Sequence, residues 1–463
     1  MKLKKLLGNK SFYKNLLIVS IPIILSQIIG QFVNILDNLM VGQLSSEEFN
    51  AVSIANQFLF IFNLTIFGIM AGPSIFATQY HGAKNIDGVK ECIRYKWLLS
   101  IVILIIGLII FITCDDLLFN LFIHNEELND CNPIDVINFG KDYLYIMLIG
   151  LIPFIIGEIY SSNLREDKET LIPMIANIIA VGINLVLNYL LIFGKFGFPT
   201  LGVKGAAIAT VIARIISCLI VMFFAIINKK YRYNNCIFKK FFPKFTTVKL
   251  IFKNSYLLLF NEVLWSTGMM LINYCYSLRG LDVVAATNIV STFTNLFGFF
   301  GTSVGSAVAI ILGQTLGANK LQEAKEDSVK YLAFSVILGV CVAILMYILK
   351  DTIPSLYKMD SSIIDTASLL IAISAIVIPI RVYSITCYFI IRSGGKVLIT
   401  FLFDSVFTIC IRFLVTFLVV YFTNASIYIV YMISELLEII KIFVGTILVK
   451  KGIWIENITK KED

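Results

Sequence analysis

Asp37 poses the sharpest chemical question in the sequence, because it lies inside a long apolar run together with Gln27, Gln31, Asn34 and Asn38. At helical steps of about 100° the four amides fall within an arc of roughly 60°, and Asp37 lies roughly 60° beyond Asn34. Glu262 opens a second stripe, followed by Ser266, Met269 and Asn273. Asn177, Asn184 and Asn188 share one face of a third run. Amide and carboxylate oxygens on neighbouring helices suit a hard cation such as Na⁺. They equally suit a protonated carboxyl group held by hydrogen bonds. One reading of the stripes is hydrogen bonding between helices. The other makes Asp37 a coupling carboxylate and a Na⁺ ligand.

Composition says what must position these groups. Of 463 residues, 58% are apolar and only 15% charged, against about 25% charged in soluble domains. Mean hydropathy is +0.87. A secreted scaffold, a disordered regulator and a nucleic-acid binder are excluded. A polytopic membrane protein remains, since each crossing takes about 20 apolar residues. In that setting an ionisable side chain near the bilayer centre costs roughly 2.5–3.5 kcal/mol, and needs a partner, a proton or a wet cavity.

Apolar runs fall at about 15–40, 49–79, 97–114, 138–162, 171–193 and 203–228, then at about 254–277, 284–315, 331–349, 367–391, 397–422 and 427–449. Twelve transmembrane helices are predicted. The basic N-terminus leads into the first of them and carries no cleavage signal of small residues, so it reads as a span. With that terminus in the cytoplasm, 28 Lys and Arg fall on the inner side and 6 on the outer. Both termini are then cytoplasmic. Nine Cys contain no C-x-x-C pair, so neither a zinc site nor a disulfide framework is indicated, although Cys114 and Cys131 flank one loop and could pair.

The chain repeats itself at a shift of 235 residues: Ala51 meets Ala286, Phe58 meets Phe293, Phe62 meets Phe297, Gln79 meets Gln314 and Gly82 meets Gly317. Two six-helix halves are expected, 1–228 and 254–463, around a central cavity. They are joined by a basic linker, 229–253, with eight Lys and Arg and no acid. Parallel repeats suit alternating access. The fold class expected is an all-α polytopic membrane protein in two pseudo-symmetric lobes.

Other intramembrane charges read as structural pairs: Glu158, Arg214, Asp404 and Arg412, with Glu435, Glu438 and Lys441 together on the last run. Arg381 is expected to pair with Glu262 or Asp404. His81 and His124 are the only histidines, no H-E-x-x-H or G-x-x-x-x-G-K-[ST] is present, and an enzyme or ATPase is not expected.

Several segments together resemble the multidrug and toxic compound extrusion (MATE) transporters. They are N-I-L-D-N-L-M-V-G-Q-L at 34–44, L-N-Y-L-L-I-F-G-K-F-G-F-P-T-L-G-V-K-G-A-A-I-A-T at 187–210, N-E-V-L-W-S-T-G at 261–268, I-I-R-S-G-G at 390–395 and K-K-G-I-W at 450–454. The resemblance implies a twelve-helix antiporter in a bacterial plasma membrane, exporting amphiphilic organic cations in exchange for Na⁺ or H⁺. It implies a monomer with no cofactor beyond that ion and no nucleic-acid partner. Asp37 matches the family's coupling carboxylate on helix one, Asn184 and Asn188 its partners on helix five, and Thr210 a hydroxyl on helix six. Glu262 matches a helix-seven acid, but Arg381 stands where that branch places an acid on helix ten. The alternative within the same superfamily is a flippase for a lipid-linked oligosaccharide or peptidoglycan precursor.

Overall fold

Every one of the twelve apolar runs is helical in the computed structural model, which describes residues 7–120, 132–357 and 359–462. The helices are α1 (Lys10–Val41), α2 (Ser46–Gly82), α3 (Ile86–Thr113), α4 (Pro133–Glu166), α5 (Leu171–Phe193) and α6 (Gly202–Ile227). They continue as α7 (Phe245–Ser277), α8 (Leu281–Gly317), α9 (Leu321–Leu349), α10 (Ser361–Ser393) and α11 (Val397–Phe422). The first eleven are long and apolar enough to cross a membrane. The last run, α12, bends at Leu437 between Ile427–Leu436 and Glu438–Lys451, and carries three charges at Glu435, Glu438 and Lys441. The Cys114–Cys131 pairing and His124 lie outside the described residues.

Helix ends differ from the hydropathy pattern where charged residues are themselves buried. α3 begins at Ile86 rather than 97, and Lys96 is fully buried within it. Its ammonium donates to Ser162 Oγ at 2.9 Å, Asn163 Oδ1 at 3.0 Å and Glu166 Oε1 at 2.5 Å. All three of the ammonium's donors are thereby used, as burial requires. α4 starts where Asn132 accepts from Ile134 N at 3.1 Å and Pro133 presets the first turn.

The chain forms two compact units. The N unit holds Leu25–Ala77 and Ile86–Ile251; the C unit holds Met1–Ile24, Thr78–Asn85 and Phe252–Asp463. The division therefore falls inside α1, two residues after Pro22, and inside α2 as well as near the end of the linker. A proline within a helix removes a backbone hydrogen bond and crowds the carbonyl four residues back, which makes such a point the weakest along α1.

In the N unit, Phe58, Phe62 and Ile66 of α2 pack with Leu144, Met147 and Leu151 of α4 and Ala207 of α6. In the C unit, Phe293 and Phe297 of α8 pack with Leu370, Ile371 and Ile378 of α10. The repeat is thus structural: Phe58 and Phe293, and Phe62 and Phe297, are buried at matching places in two separate cores. Ile105, Ile109, Ile337 and Ile344 stay exposed on α3 and α9. Such apolar faces suit acyl chains and would drive a water-soluble protein to aggregate.

Gly82 and Gly317, partners in the repeat, also meet reciprocally. A Cβ on Gly82 would collide with the backbone of Gln314, and a Cβ on Gly317 with the backbone of Gln79. Beside this crossing Gln79 donates to the Ser393 carbonyl at 2.9 Å and the Glu456 carbonyl at 3.2 Å, and accepts from Ile458 N at 2.9 Å. Gly317→Ala is expected to force the two backbones apart at a cost of about 1–3 kcal/mol. Its apparent melting temperature in detergent should fall by several degrees, and an unchanged melting curve would contradict this close packing.

Candidate functional site

The turn between α5 and α6 sets the site's geometry. α5 ends at Gly194, whose φ of +63° is a left-handed conformation that glycine adopts without strain. Leu201 N then donates back to the Leu191 carbonyl at 2.9 Å. Gly205 lets α6 pass so near that an added Cβ would lie 2.6 Å from that same carbonyl. The G-K-F-G-F-P-T-L-G-V-K-G segment is therefore a tight helical hairpin. It brings Asn184 and Asn188 on α5 alongside Thr210 on α6.

Asp37 of α1 completes the group. Asn188 Nδ2 donates to Asp37 Oδ1 at 2.6 Å and to Asn184 Oδ1 at 3.2 Å. In that setting Asn184 Nδ2 donates to Thr210 Oγ1 at 3.3 Å. With the Asn184 amide turned over, its nitrogen instead donates to Asp37 Oδ1 at 2.9 Å, and its oxygen accepts from Thr210 Oγ1 at 3.3 Å. The turned-over orientation satisfies both ends of the Asn184 amide and is the one its neighbours assign. Asn188 Oδ1, by contrast, is buried without any hydrogen-bond donor. No basic side chain among the described residues forms an ion pair with Asp37; the side-chain partners named here are neutral.

The remaining N-unit residues fall around this centre. Asn177 Nδ2 donates to the Ser26 carbonyl at 3.1 Å and Ser26 Oγ at 3.0 Å, fastening α5 to α1 about two turns before the helix reaches Asn184's level. Asn34 is exposed and makes no hydrogen bond to a described residue. Asn34, Asp37, Asn177, Asn184 and Thr210 all line one cavity of about 330 Å³ in the N unit.

The C unit arranges its polar residues differently. Arg381 pairs with Glu435, and not with Glu262 or Asp404 as expected. Arg412 also reaches Glu435, at 2.5 Å, and lies 3.6 Å from Glu438. Lys441 lies 3.6 Å from Glu438 and 3.1 Å from Asp404. Three cations and three carboxylates alternate in a closed, mostly buried ladder. α11 supplies Asp404 and Arg412 from its π-helical stretches, Leu402–Val406 and Thr408–Phe413, whose wider turns change the angular spacing of the two side chains. Asn261, one residue before Glu262, is the α7 side chain tied into this group, donating to Asp404 Oδ2 at 3.4 Å and accepting from Ser405 Oγ at 2.8 Å. Glu262 forms no hydrogen bond or ion pair among the described residues; Arg392 and Asp404 are the charges acting on it. Ser266 and Asn273 likewise make no hydrogen bond to a described residue, and Asn273 is exposed.

Glu158 pairs with Arg165 on its own helix at 3.1 Å. Arg214 does not form the carboxylate pair expected of it: its contacts are the Gly150 carbonyl at 3.4 Å and the face of Phe154.

A polytopic helical protein with unpaired polar groups around an internal cavity has the makings of a membrane transporter, and comparison with known proteins places it. The MatE family model matches residues 22–190 and 258–418, two stretches that begin 236 residues apart. The chain belongs to the MatE family and is a transporter of that family. It is 26% identical over 370 residues to a protein of Pasteurella multocida (strain Pm70) described as a probable multidrug resistance protein, NorM, covering 78% of this chain and 76% of that one. The uncharacterized transporter YisQ of Bacillus subtilis (strain 168) is 25% identical over 380 residues, covering 81% and 80%. A crystal structure of MATE in the straight conformation agrees with a TM-score of 0.85 over 98% of both chains at 16% identity, a likeness of fold.

Proposed function

We propose that this transporter exports amphiphilic organic cations in exchange for Na⁺ or H⁺, with Asp37 as the carboxylate that takes the incoming ion. One observation carries the reading: Asp37 is surrounded by neutral amides and a hydroxyl, with no basic side chain to hold its charge. Such a group loses much of its desolvation cost when a small cation or proton joins it. The donorless Asn188 Oδ1 offers an oxygen to an incoming Na⁺, and the Asn184 amide lies within hydrogen-bond distance of Asp37. The relatives described as multidrug resistance proteins support the substrate class.

In this mechanism the ion enters from outside, neutralises Asp37 and releases the drug. The two six-helix repeats, 1–228 and 254–463, are the bodies that alternate, and the charge bias of the loops puts both termini in the cytoplasm. In the C unit the closed ladder leaves Arg381 without a free carboxylate to share, which favours the Asp37 group as the coupling site. Ethidium efflux from proteoliposomes, driven by a Na⁺ gradient and by a H⁺ gradient applied separately, tests the reading. One of the two should drive accumulation of dye against its gradient. Dye movement that responds to neither would overturn it.

A further inference from the structure

Arg214 is a charge in the wrong place for packing alone. It stands midway along α6, twelve residues after Gly202 and thirteen before Ile227. At 1.5 Å per residue that is about 18 Å from either end, beyond the reach of any side chain to the membrane surface. The other three basic residues expected inside spans, Arg381, Arg412 and Lys441, each have a carboxylate. Arg214 has none among the described residues, and the acid on the adjacent helix, Glu158, is engaged by Arg165. Its guanidinium lies 5.0 Å from the Phe154 ring centroid and donates to one carbonyl, that of Gly150, at 3.4 Å. A guanidinium has five N–H donors, so most remain to be satisfied.

Those donors border the cavity of about 330 Å³ that Asp37 also borders. An acid and a base in the wall of one cavity normally cancel by pairing. Here they do not: Asp37 engages the α5 amides, and Arg214 engages Phe154 and a carbonyl. Glu158 borders the same cavity but is held by Arg165, so Asp37 and Arg214 face it as separated charges of opposite sign. Its volume is at the lower end of those that hold small organic ligands, about 300–1,000 Å³.

We infer that Arg214 receives the carboxylate of amphiphilic substrates that carry one beside their cationic amine, the amine being directed to Asp37. The inference rests on the export reading above and adds a specificity-determining residue to it. A planar guanidinium matches a carboxylate with two parallel hydrogen bonds, a geometry that lysine cannot reproduce. The Phe154 face backs the guanidinium and fixes its plane. A purely cationic drug is held through Asp37 and gains nothing from Arg214.

Two dyes that share one ring system test this: rhodamine 110, with a free carboxylate, and rhodamine 123, its methyl ester. Fluorescence anisotropy with the full-length transporter in nanodiscs gives Kd for each. Arg214→Gln should weaken rhodamine 110 by roughly 10- to 100-fold, the range of a charge-assisted hydrogen bond. Rhodamine 123 should change less than about threefold, which also reports that the variant is folded. Arg214→Lys covers a misfolded Gln variant: it keeps the charge, loses the fork, and should weaken only the free acid, by severalfold. Equal shifts for both dyes, no shift for either, or a wild type that binds the ester but not the acid would overturn the assignment. Ethidium efflux by the wild type is read separately; if it responds to neither gradient, the export reading itself falls.

Discussion

Asp37→Asn should abolish ion-driven drug accumulation while leaving the protein folded in the membrane. Asparagine keeps the volume and the oxygen that accepts from Asn188, so the α1–α5 contact survives. It has no charge for Na⁺ or a proton to neutralise. In one-for-one exchange of cations no net charge moves, so the ion gradient does the driving: a fiftyfold gradient is worth about 2.3 kcal/mol and sustains an opposing drug gradient of about fiftyfold. In vesicles carrying the variant that ratio should decay to equality, with downhill exchange of dye the most that persists. Fiftyfold accumulation by Asp37→Asn vesicles would remove Asp37 from the mechanism.

A second large effect is expected in the C unit, on stability rather than on transport. Glu435 is 2% exposed and receives both Arg381 and Arg412. Glu435→Leu leaves two guanidinium groups in an apolar interior with no carboxylate between them. Breaking a buried ion pair from one side costs about 3–5 kcal/mol. Thermal unfolding in detergent should therefore shift down steeply, and the yield of folded protein should drop with it. Replacing both arginines by Met in the same chain should recover most of the loss, because no orphaned charge is then left. A single variant as stable as wild type would show that the ladder is wetter than its burial implies.

These two sites differ in how far the sequence could reveal them. The Asp37 group was legible because its members sit at helical spacing on two runs, and because the hairpin joining α5 to α6 carries its own signature of Gly194 and Gly205. Helical periodicity states which face a residue occupies. It does not state which helix lies against that face. That is why Arg381 was assigned to Glu262 or Asp404 when its acid is Glu435 on α12. The π-helical stretches of α11 compound the difficulty, since a 100° step misplaces every residue beyond them. Lys96 was read as part of a loop for a related reason: hydropathy treats a lysine as exposed, whereas Glu166, Ser162 and Asn163 enclose this one. The sequence groups Arg214 with the paired charges, and Glu158 on the adjacent helix is not its partner. Arg165, seven residues along the same helix, already holds it.

The unit boundary inside α1 bears on how such a polypeptide is made. A ribosome that has finished the first 251 residues has completed the N unit, while Met1–Ile24 and Thr78–Asn85 still belong with elements to be translated. The early product must wait in the bilayer with the opening stretch of its first helix unmatched. Cutting the gene near residue 251 would leave the second fragment without Met1–Ile24 and Thr78–Asn85, which only the first fragment carries. The C unit is thus not encoded by the second repeat alone.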